Sequence, residues 1–154
     1  IMKHFKKIIL LFLFIFITSC GYTPILNYEK FSFYIDEINF EGDRKINNYI
    51  DKNLKKYQTN KDAKNKYSLN LNSTFLKTIL NKDKDGKPKN YNLEVKTSVK
   101  IISDNNKIEN KTLIRNILLE TQDKKITEKE LENKYKKDLS NLLAKDIIFL
   151  LSNK

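Results

Sequence analysis

Residue types that carry most enzyme chemistry are nearly absent from this chain of 154 residues. It has one histidine, one cysteine, three glycines and no tryptophan. The histidine, His4, lies at the start of the chain, so the remainder cannot build a Ser-His-Asp triad, a Cys–His pair or a Cys/His zinc site. Carboxylates are present, but the neighbours Asp36 and Glu37 would point to opposite faces of a strand. We therefore expect a protein that is not an enzyme and that holds no metal or cofactor.

Arginine is also scarce, although the chain is strongly basic. Lysine and arginine total 30 against 19 aspartates and glutamates, for a formal charge of +11, yet the only arginines are Arg44 and Arg115. An excess of basic residues is typical of proteins that meet nucleic acids or anionic lipids. Abundant lysine, asparagine and isoleucine are also typical of an AT-rich genome, in which case much of the charge is a solvated surface. Composition alone leaves both interpretations open.

The first segment has the layout of a bacterial export signal. Lys3, Lys6 and Lys7 precede an unbroken apolar run over residues 8–17. As a helix this run would rise about 15 Å, half of a ~30 Å hydrocarbon core, which is too short for a stable transmembrane helix. A buried core helix is the alternative. The basic residues before the run favour a cleaved signal peptide over residues 1–19.

Cys20 ends this segment in the sequence Ile17-Thr18-Ser19-Cys20, which fits a lipobox. Small residues before the cleavage point let the extended chain enter a peptidase, and a cysteine thiolate is the nucleophile that takes a diacylglyceryl group. Cys20 has no disulfide partner within its own chain, so a free or intermolecularly paired thiol is the alternative. We predict that Cys20 carries a covalent lipid and that residues 20–30 tether a single domain, residues 31–154, to a membrane.

Export changes how the charge is interpreted. Loss of the three leader lysines lowers the formal charge from +11 to +8. An exported domain meets no nucleic acid, so we expect no nucleic-acid partner. Gly21 follows the lipidated cysteine, where aspartate would tend to retain a Gram-negative lipoprotein in the inner membrane. The expected location is therefore the periplasmic face of the outer membrane.

Alternation of apolar and polar residues predicts four strands. They cover residues 31–40, 67–75 with an optional extension to Leu80, 91–101 and 108–120. The first alternation changes phase near Asp36 and Glu37, which indicates a β-bulge or a strand end. The last strand has apolar residues on both faces from Leu113 onward, which suggests a cover or a partner on its second face.

Two amphipathic helices are predicted beside these strands. Asp43 is placed to cap the first, and its apolar stripe consists of Ile46, Tyr49, Ile50, Leu54 and Tyr57, with Asn47, Asp51, Lys52 and Lys55 on the wet side. The second has the pattern of a capping box at Thr127 and Glu130. Its stripe consists of Leu131, Tyr135, Leu139, Leu142, Leu143, Ile147, Leu150 and Leu151.

The predicted element order is therefore β-α-β-β-β-α. A sheet with one apolar face needs a cover, and two amphipathic helices supply it. We predict an α+β fold of the two-layer sandwich type, with a mostly antiparallel four-stranded sheet covered by two helices. The other face of the sheet is polar and free to meet solvent or a partner.

The lipobox, the CGYTPIL sequence that begins at Cys20 and this element order together resemble the LPS-assembly lipoprotein (LptE) family. Residues 35–44 (IDEINFEGDR), which pass into the first helix, are similar to that family's first strand-to-helix passage. The resemblance implies that the domain is a plug inside a large outer-membrane β-barrel of the LptD type. Plug and barrel together pass lipopolysaccharide (LPS) to the outer leaflet.

The resemblance also implies LPS binding by basic residues on loops. The matching position is the tip of a strand hairpin, with Lys82, Lys84, Lys87 and Lys89. For each of them a solvated turn in a lysine-rich protein is the alternative. Lysines meet lipid A phosphates as point charges. Because arginine is scarce, this chain has few side chains that could bind phosphate in bidentate fashion.

A different periplasmic adaptor lipoprotein is the alternative function. Activators of cell-wall synthases and auxiliary lipoproteins of lipid transporters also carry small α/β domains on lipid tethers, often with long linkers. The tether here reaches at most about 35 Å. The domain must therefore work close to its membrane, which favours a barrel partner.

Overall fold

The structure is a computed structural model that describes residues 33–59 and 63–154. The predicted leader, Cys20 and the whole predicted tether lie outside the described residues. The elements are β1 (Phe33–Gly42), α1 (Arg44–Leu54), a 3-10 turn (Lys55–Gln58), β2 (Asn65–Lys82), β3 (Pro88–Ser103), β4 (Ile108–Glu120) and α2 (Lys125–Ser152). This is the predicted order.

The four strands form one sheet in the order β1-β2-β3-β4. β1 and β2 are parallel, while β2 with β3 and β3 with β4 are antiparallel. Parallel neighbours need a crossover, and α1 provides it. α2 follows β4 and packs against α1, β3 and β4. The predicted α+β sandwich with a mostly antiparallel sheet is confirmed.

The phase change near Asp36 is a β-bulge. The register between β1 and β2 shifts between Ile35, which lies opposite Tyr67, and Glu37, which lies opposite Ser68. The extra residue, Asp36, turns the later apolar residues back toward the helices. A strand end at this position is thereby excluded, since β1 continues to Gly42.

The core lies between the helices and one face of the sheet. Alternate residues of β2 and β3 supply the sheet side, and i, i+4 residues of each helix supply the other. The fully buried apolar residues include Leu69, Leu71, Val95, Val99, Ile101, Ile46, Ile50, Leu54, Leu143 and Ile147. Each such side chain contributes about 1.5–3 kcal/mol by its removal from water.

The passage from β1 to α1 is held by Gly42 and Asp43. Gly42 has φ +84°, and a Cβ there would lie 2.1 Å from the backbone oxygen of Ser73, so no other residue fits without a backbone shift. The Asp43 amide donates to that same oxygen at 2.7 Å. The Asp43 carboxylate accepts from the amides of Lys45 at 2.9 Å and Ile46 at 3.1 Å. Asp43 is the N-cap that the sequence predicts.

Three details of the helices were predicted wrongly. α2 begins at Lys125, with Lys124 as an N-cap that makes no side-chain bond. Thr127 therefore already has helical backbone geometry and cannot form the expected capping box. Leu142 is 43% exposed, because the buried face follows Leu139, Leu143 and Ile147 instead. Asn47 is buried, and its side-chain amide donates to the Glu41 carbonyl at 2.9 Å, while its Oδ1 has no hydrogen-bond partner among the described residues.

The sheet face away from the helices is polar beside β1 and carries exposed apolar side chains among polar ones on β2 and β4. Asn39 donates to the Asn70 side chain at 3.2 Å. On β4, Ile114 and Leu118 are 52% and 47% exposed, and Leu76 of β2 is 53% exposed. The expectation of apolar residues on both faces of the last strand is confirmed. Neither described helix is long and apolar enough to cross a membrane.

Candidate functional site: a lysine-bearing hairpin tip

The hairpin of β2 and β3 projects beyond its neighbouring strand. β2 and β3 pair as far as Lys82 opposite Pro88, whereas β4 ends at Glu120 opposite Asn90. The hairpin tip, residues 82–89, brings together the predicted lysines, all of them exposed: Lys82, Lys84, Lys87 and Lys89. Their proximity is a structural fact, and their role toward LPS stays a prediction.

The turn at the tip is ordered by Asp83. Its carboxylate accepts from the amides of Asp85 at 2.9 Å and Lys87 at 2.8 Å, and its own amide donates to the Lys87 carbonyl at 2.8 Å. Gly86 takes φ +78°, where glycine is favoured, and its amide donates to the Asp83 carbonyl at 3.1 Å. The lysines therefore stand on a preformed loop, so binding does not have to order the backbone.

The charges at the tip suit a weak, multivalent anion site. Asp83 and Asp85 offset two of the four lysines, which leaves a net charge of +2. Among the residues that the structure describes, none of these four lysines forms an ion pair. Each exposed ammonium contributes at most about 1 kcal/mol to one contact, and salt weakens it. An anion held at this tip would therefore need several such contacts at once.

A recess behind the tip adds lysines that the sequence analysis did not place there. Lys87 lines it together with Lys125 and Lys129, which lie at the start of α2. The connection from β4 to α2 brings these two lysines under the hairpin. Because they are about forty residues away from Lys87 in the sequence, the sequence alone does not show this proximity. One signal was available: Lys125 lies in the first turn of α2, where a positive charge is unfavourable beside the helix dipole.

An ion-pair network closes the bottom of this recess. The Lys77 ammonium lies 2.8 Å from Glu128 and 3.1 Å from Glu132, and 4.1 Å from the centre of the Tyr91 ring. Lys129 lies 2.9 Å from the other oxygen of Glu132. The network ties the start of α2 to β2 and β3 directly beneath the tip.

Burial and ion pairing act against each other in this network. Burial by itself would raise the pKa of Glu132, but hydrogen bonds and charge interactions with Lys129 and Lys77 outweigh it and lower that pKa. Burial would likewise lower the pKa of Lys77, and its bonds to Glu128 and Glu132 raise it instead. Both shifts favour the charged forms, so the network holds together at neutral pH.

Replacement of Glu132 by glutamine should lower the free energy of unfolding by about 1–3 kcal/mol at neutral pH. The pKa of Glu132 is lowered on folding, so its stabilisation is present above its ordinary value of 4.5 and is lost as the pH falls through the folded-state pKa. The difference between wild type and E132Q should therefore shrink as the pH falls below 4.5 and through the lowered pKa. Urea unfolding at neutral pH and in the acid range measures it.

The control is Glu130→Gln, which changes an exposed carboxylate two residues away on the same helix. It should change the free energy of unfolding by less than about 0.5 kcal/mol. An equal effect of the two substitutions, or an E132Q effect that does not vary with pH, would contradict a stabilising role for the network.

The fold has known counterparts among solved structures. No protein-family model and no curated protein matches the sequence. A minor lipoprotein from Acinetobacter baumannii superposes with a TM-score of 0.56 at 17% identity, over 77% of this chain and 91% of that one. An uncharacterized lipoprotein B from Nitrosomonas europaea gives 0.52 at 15% identity, over 77% and 83%. The rare lipoprotein B from Shewanella oneidensis gives 0.50 at 11% identity, over 74% and 91%.

These three likenesses identify the fold. The sandwich of the described residues is an architecture that bacterial lipoproteins use. At such low identity the likeness establishes the fold alone.

Proposed function

We propose that this protein is a bacterial lipoprotein of the LPS-assembly type. It is exported, acylated on Cys20 and held at the periplasmic face of the outer membrane. There it plugs and supports a β-barrel of the LptD type and assists LPS on its way, without catalysis. One observation carries the proposal: a lipobox pattern precedes a domain whose fold is shared with three bacterial lipoproteins.

The hairpin tip is the part of the domain that meets LPS in this proposal. Lipid A carries phosphates, and lysines on a preformed loop attract them without any change in backbone conformation. The recess behind the tip adds Lys125, but Lys77 and Lys129 there are paired with Glu128 and Glu132, and Asp123 offsets the remaining charge. The positive field therefore comes from the lysines of the tip itself. Because these contacts are weak and screened by salt, LPS is held loosely enough to move on.

The apolar part of the open sheet face is the part that meets the barrel. Leu76 of β2 lies opposite Glu94 of β3, and Ile114 of β4 lies opposite Lys96. Both apolar side chains are about half exposed and stand on a face that no helix of the described chain covers. Glu94 and Lys96 of β3 lie between them, so the face combines exposed apolar and charged side chains, a mixture that suits a protein contact.

The tagged protein, taken from gently solubilised outer membranes, should bring down an LptD-type barrel in a stable complex. Leu76→Glu combined with Ile114→Glu should reduce recovery of the barrel at least about tenfold, because two charges would be buried at an apolar contact. Mass spectrometry of the captured material, normalised to the bait, measures the ratio.

Ile126→Glu is the matched control for this substitution. Ile126 is 76% exposed but lies on α2, on the other side of the molecule. It should leave recovery of the barrel unchanged. Isolation of the wild-type protein as a lone monomer would contradict the proposal, and capture of a cell-wall synthase or a lipid transporter instead would support the adaptor alternative.

A further inference from the structure

The end of the sandwich opposite the hairpin tip is where the chain connects toward Cys20. β1 and β2 both begin at this end, where Phe33 lies beside Asn65, and β3 and α2 end there. Fully extended chain between Cys20 and Phe33 spans at most about 45 Å. Whatever holds Cys20 therefore also holds this end of the domain nearby.

This end carries a basic recess with an exposed aromatic ring, here called the base patch. Its members are Lys64, Lys66, Lys107, Lys111, Lys154 and Phe149. Phe149 is 68% exposed, an unusual position for a large apolar ring on a monomeric surface.

Positive charge predominates around the ring. Five lysines line the recess, against two carboxylates, Asp104 and Glu109. Glu109 is engaged by Lys154 and by Lys111, the latter at 3.3 Å. Hydrogen bonds from Lys154 lower the pKa of Glu109 and favour its charged form. Lys64, Lys66 and Lys107 form no ion pair among the described residues.

We propose that the base patch binds the surface of an anionic phospholipid bilayer, with Phe149 inserted among the headgroups. Lysines near an anionic leaflet are attracted to it, and an aromatic ring is favourable at the interface between headgroups and acyl chains. The proposal rests on the proposed function in one respect. The lipid on Cys20 raises the effective concentration of the base patch at the leaflet.

The two surfaces of the domain then have different tasks. The base patch fixes the domain against the leaflet that carries the anchor. The hairpin tip stands at the far end of β2, and a strand of 18 residues is about 60 Å long. The lysines of the tip are thereby kept from the same anionic leaflet and remain available for another ligand.

The absence of tryptophan makes a direct test possible, because Phe149→Trp creates a single-tryptophan protein. The purified acylated chain is placed in vesicles of phosphatidylcholine with or without phosphatidylglycerol. With phosphatidylglycerol, the F149W emission should shift to the blue. Brominated acyl chains should quench it at least about twofold more than in Ile126→Trp, since interfacial groups lie roughly 5–10 Å below the surface. Ile126 is as exposed but lies at the other end of α2.

Charge reversal separates the patch from the anchor. Lys64→Glu with Lys107→Glu, in the F149W background, should remove most of the blue shift. Lys84→Glu with Lys87→Glu makes the same change of charge at the hairpin tip and should leave the shift intact. Flotation of the same samples shows whether the acyl anchor holds the protein on the vesicles in each case.

Several outcomes would overturn the base patch. These are F149W emission that is the same in buffer and in phosphatidylglycerol vesicles, an equal shift in I126W, or an equal shift in neutral vesicles. If the purified chain carries no acyl group, the proposed function fails. The emission of F149W is then measured with anionic vesicles in excess. A shift under that condition supports the patch without the anchor, and no shift overturns it.

Discussion

Replacement of Cys20 by alanine should abolish the incorporation of radiolabelled palmitate entirely. The thiol of Cys20 is the only one in the chain, so no second site can accept the diacylglyceryl group. Each buried CH₂ contributes about 0.8 kcal/mol, so two or three acyl chains amount to far more than one domain surface can replace. The variant should also keep its leader, and intact-mass spectrometry would show residues 1–19 still attached.

The matched control is Ser19→Ala, which keeps a small residue before the cleavage point. It should be labelled and cleaved as the wild type is, because an extended chain with alanine fits where serine does. Wild-type protein that takes up no palmitate, or whose mature form retains the leader, would contradict the lipid anchor. A Cys20 thiol that reacts with maleimide in the mature protein would identify the alternative, a free cysteine.

Much of the fold follows from residue periodicity, because the core lies on one face of the sheet and each strand and helix turns one apolar face toward it. Strict alternation in β3 puts Val95, Val99 and Ile101 on the face that the helices cover. The bulge at Asp36 is also visible in the sequence, since a single extra residue inverts the alternation that follows it. The element order then leaves few arrangements in which two helices cover one sheet face.

Details that depend on where one element meets another were not predictable in this way. Asn47 is buried because a carbonyl of β1 accepts its side-chain amide, which a helical pattern cannot reveal. α2 follows β4 after four residues and begins at Lys125, so Thr127 lies inside the helix and the apparent capping box was misleading. The Lys77 network joins residues about fifty positions apart.

The candidate sites divide in the same manner. The tip lysines were found from the sequence because they are neighbours in one turn. The base patch was not, because its lysines come from four segments: the start of β2, the turn after β3, the start of β4 and the residues after α2, while Phe149 comes from α2 itself. Antiparallel pairing and the return of α2 bring these segments to one end of the sheet. The net charge of that end of the sheet can therefore be calculated only once the strand order and the path of α2 are known.

Charge reversal at Lys84 and Lys87 should weaken LPS binding at least about tenfold, because opposed charges repel phosphates that lysines attract, and several exposed contacts of about 0.2–1 kcal/mol are lost together. The net charge of the tip changes from +2 to −2. The free energy of unfolding should stay within about 0.5 kcal/mol of wild type, since both side chains are exposed. Titration with labelled LPS and urea unfolding measure the two quantities.

The control reverses Lys137 and Lys145, which are exposed on α2 away from the tip. It makes the same change of total charge and should weaken binding much less, so it separates a local site from a general effect of charge.

Wild-type affinity should fall as salt rises, because the contacts are screened. Lys84→Arg with Lys87→Arg should increase affinity, because guanidinium binds phosphate through two hydrogen bonds where ammonium acts as a point charge. LPS affinity that is unchanged by the double reversal would count against the tip. The turn would then be the solvated one that a lysine-rich composition also explains.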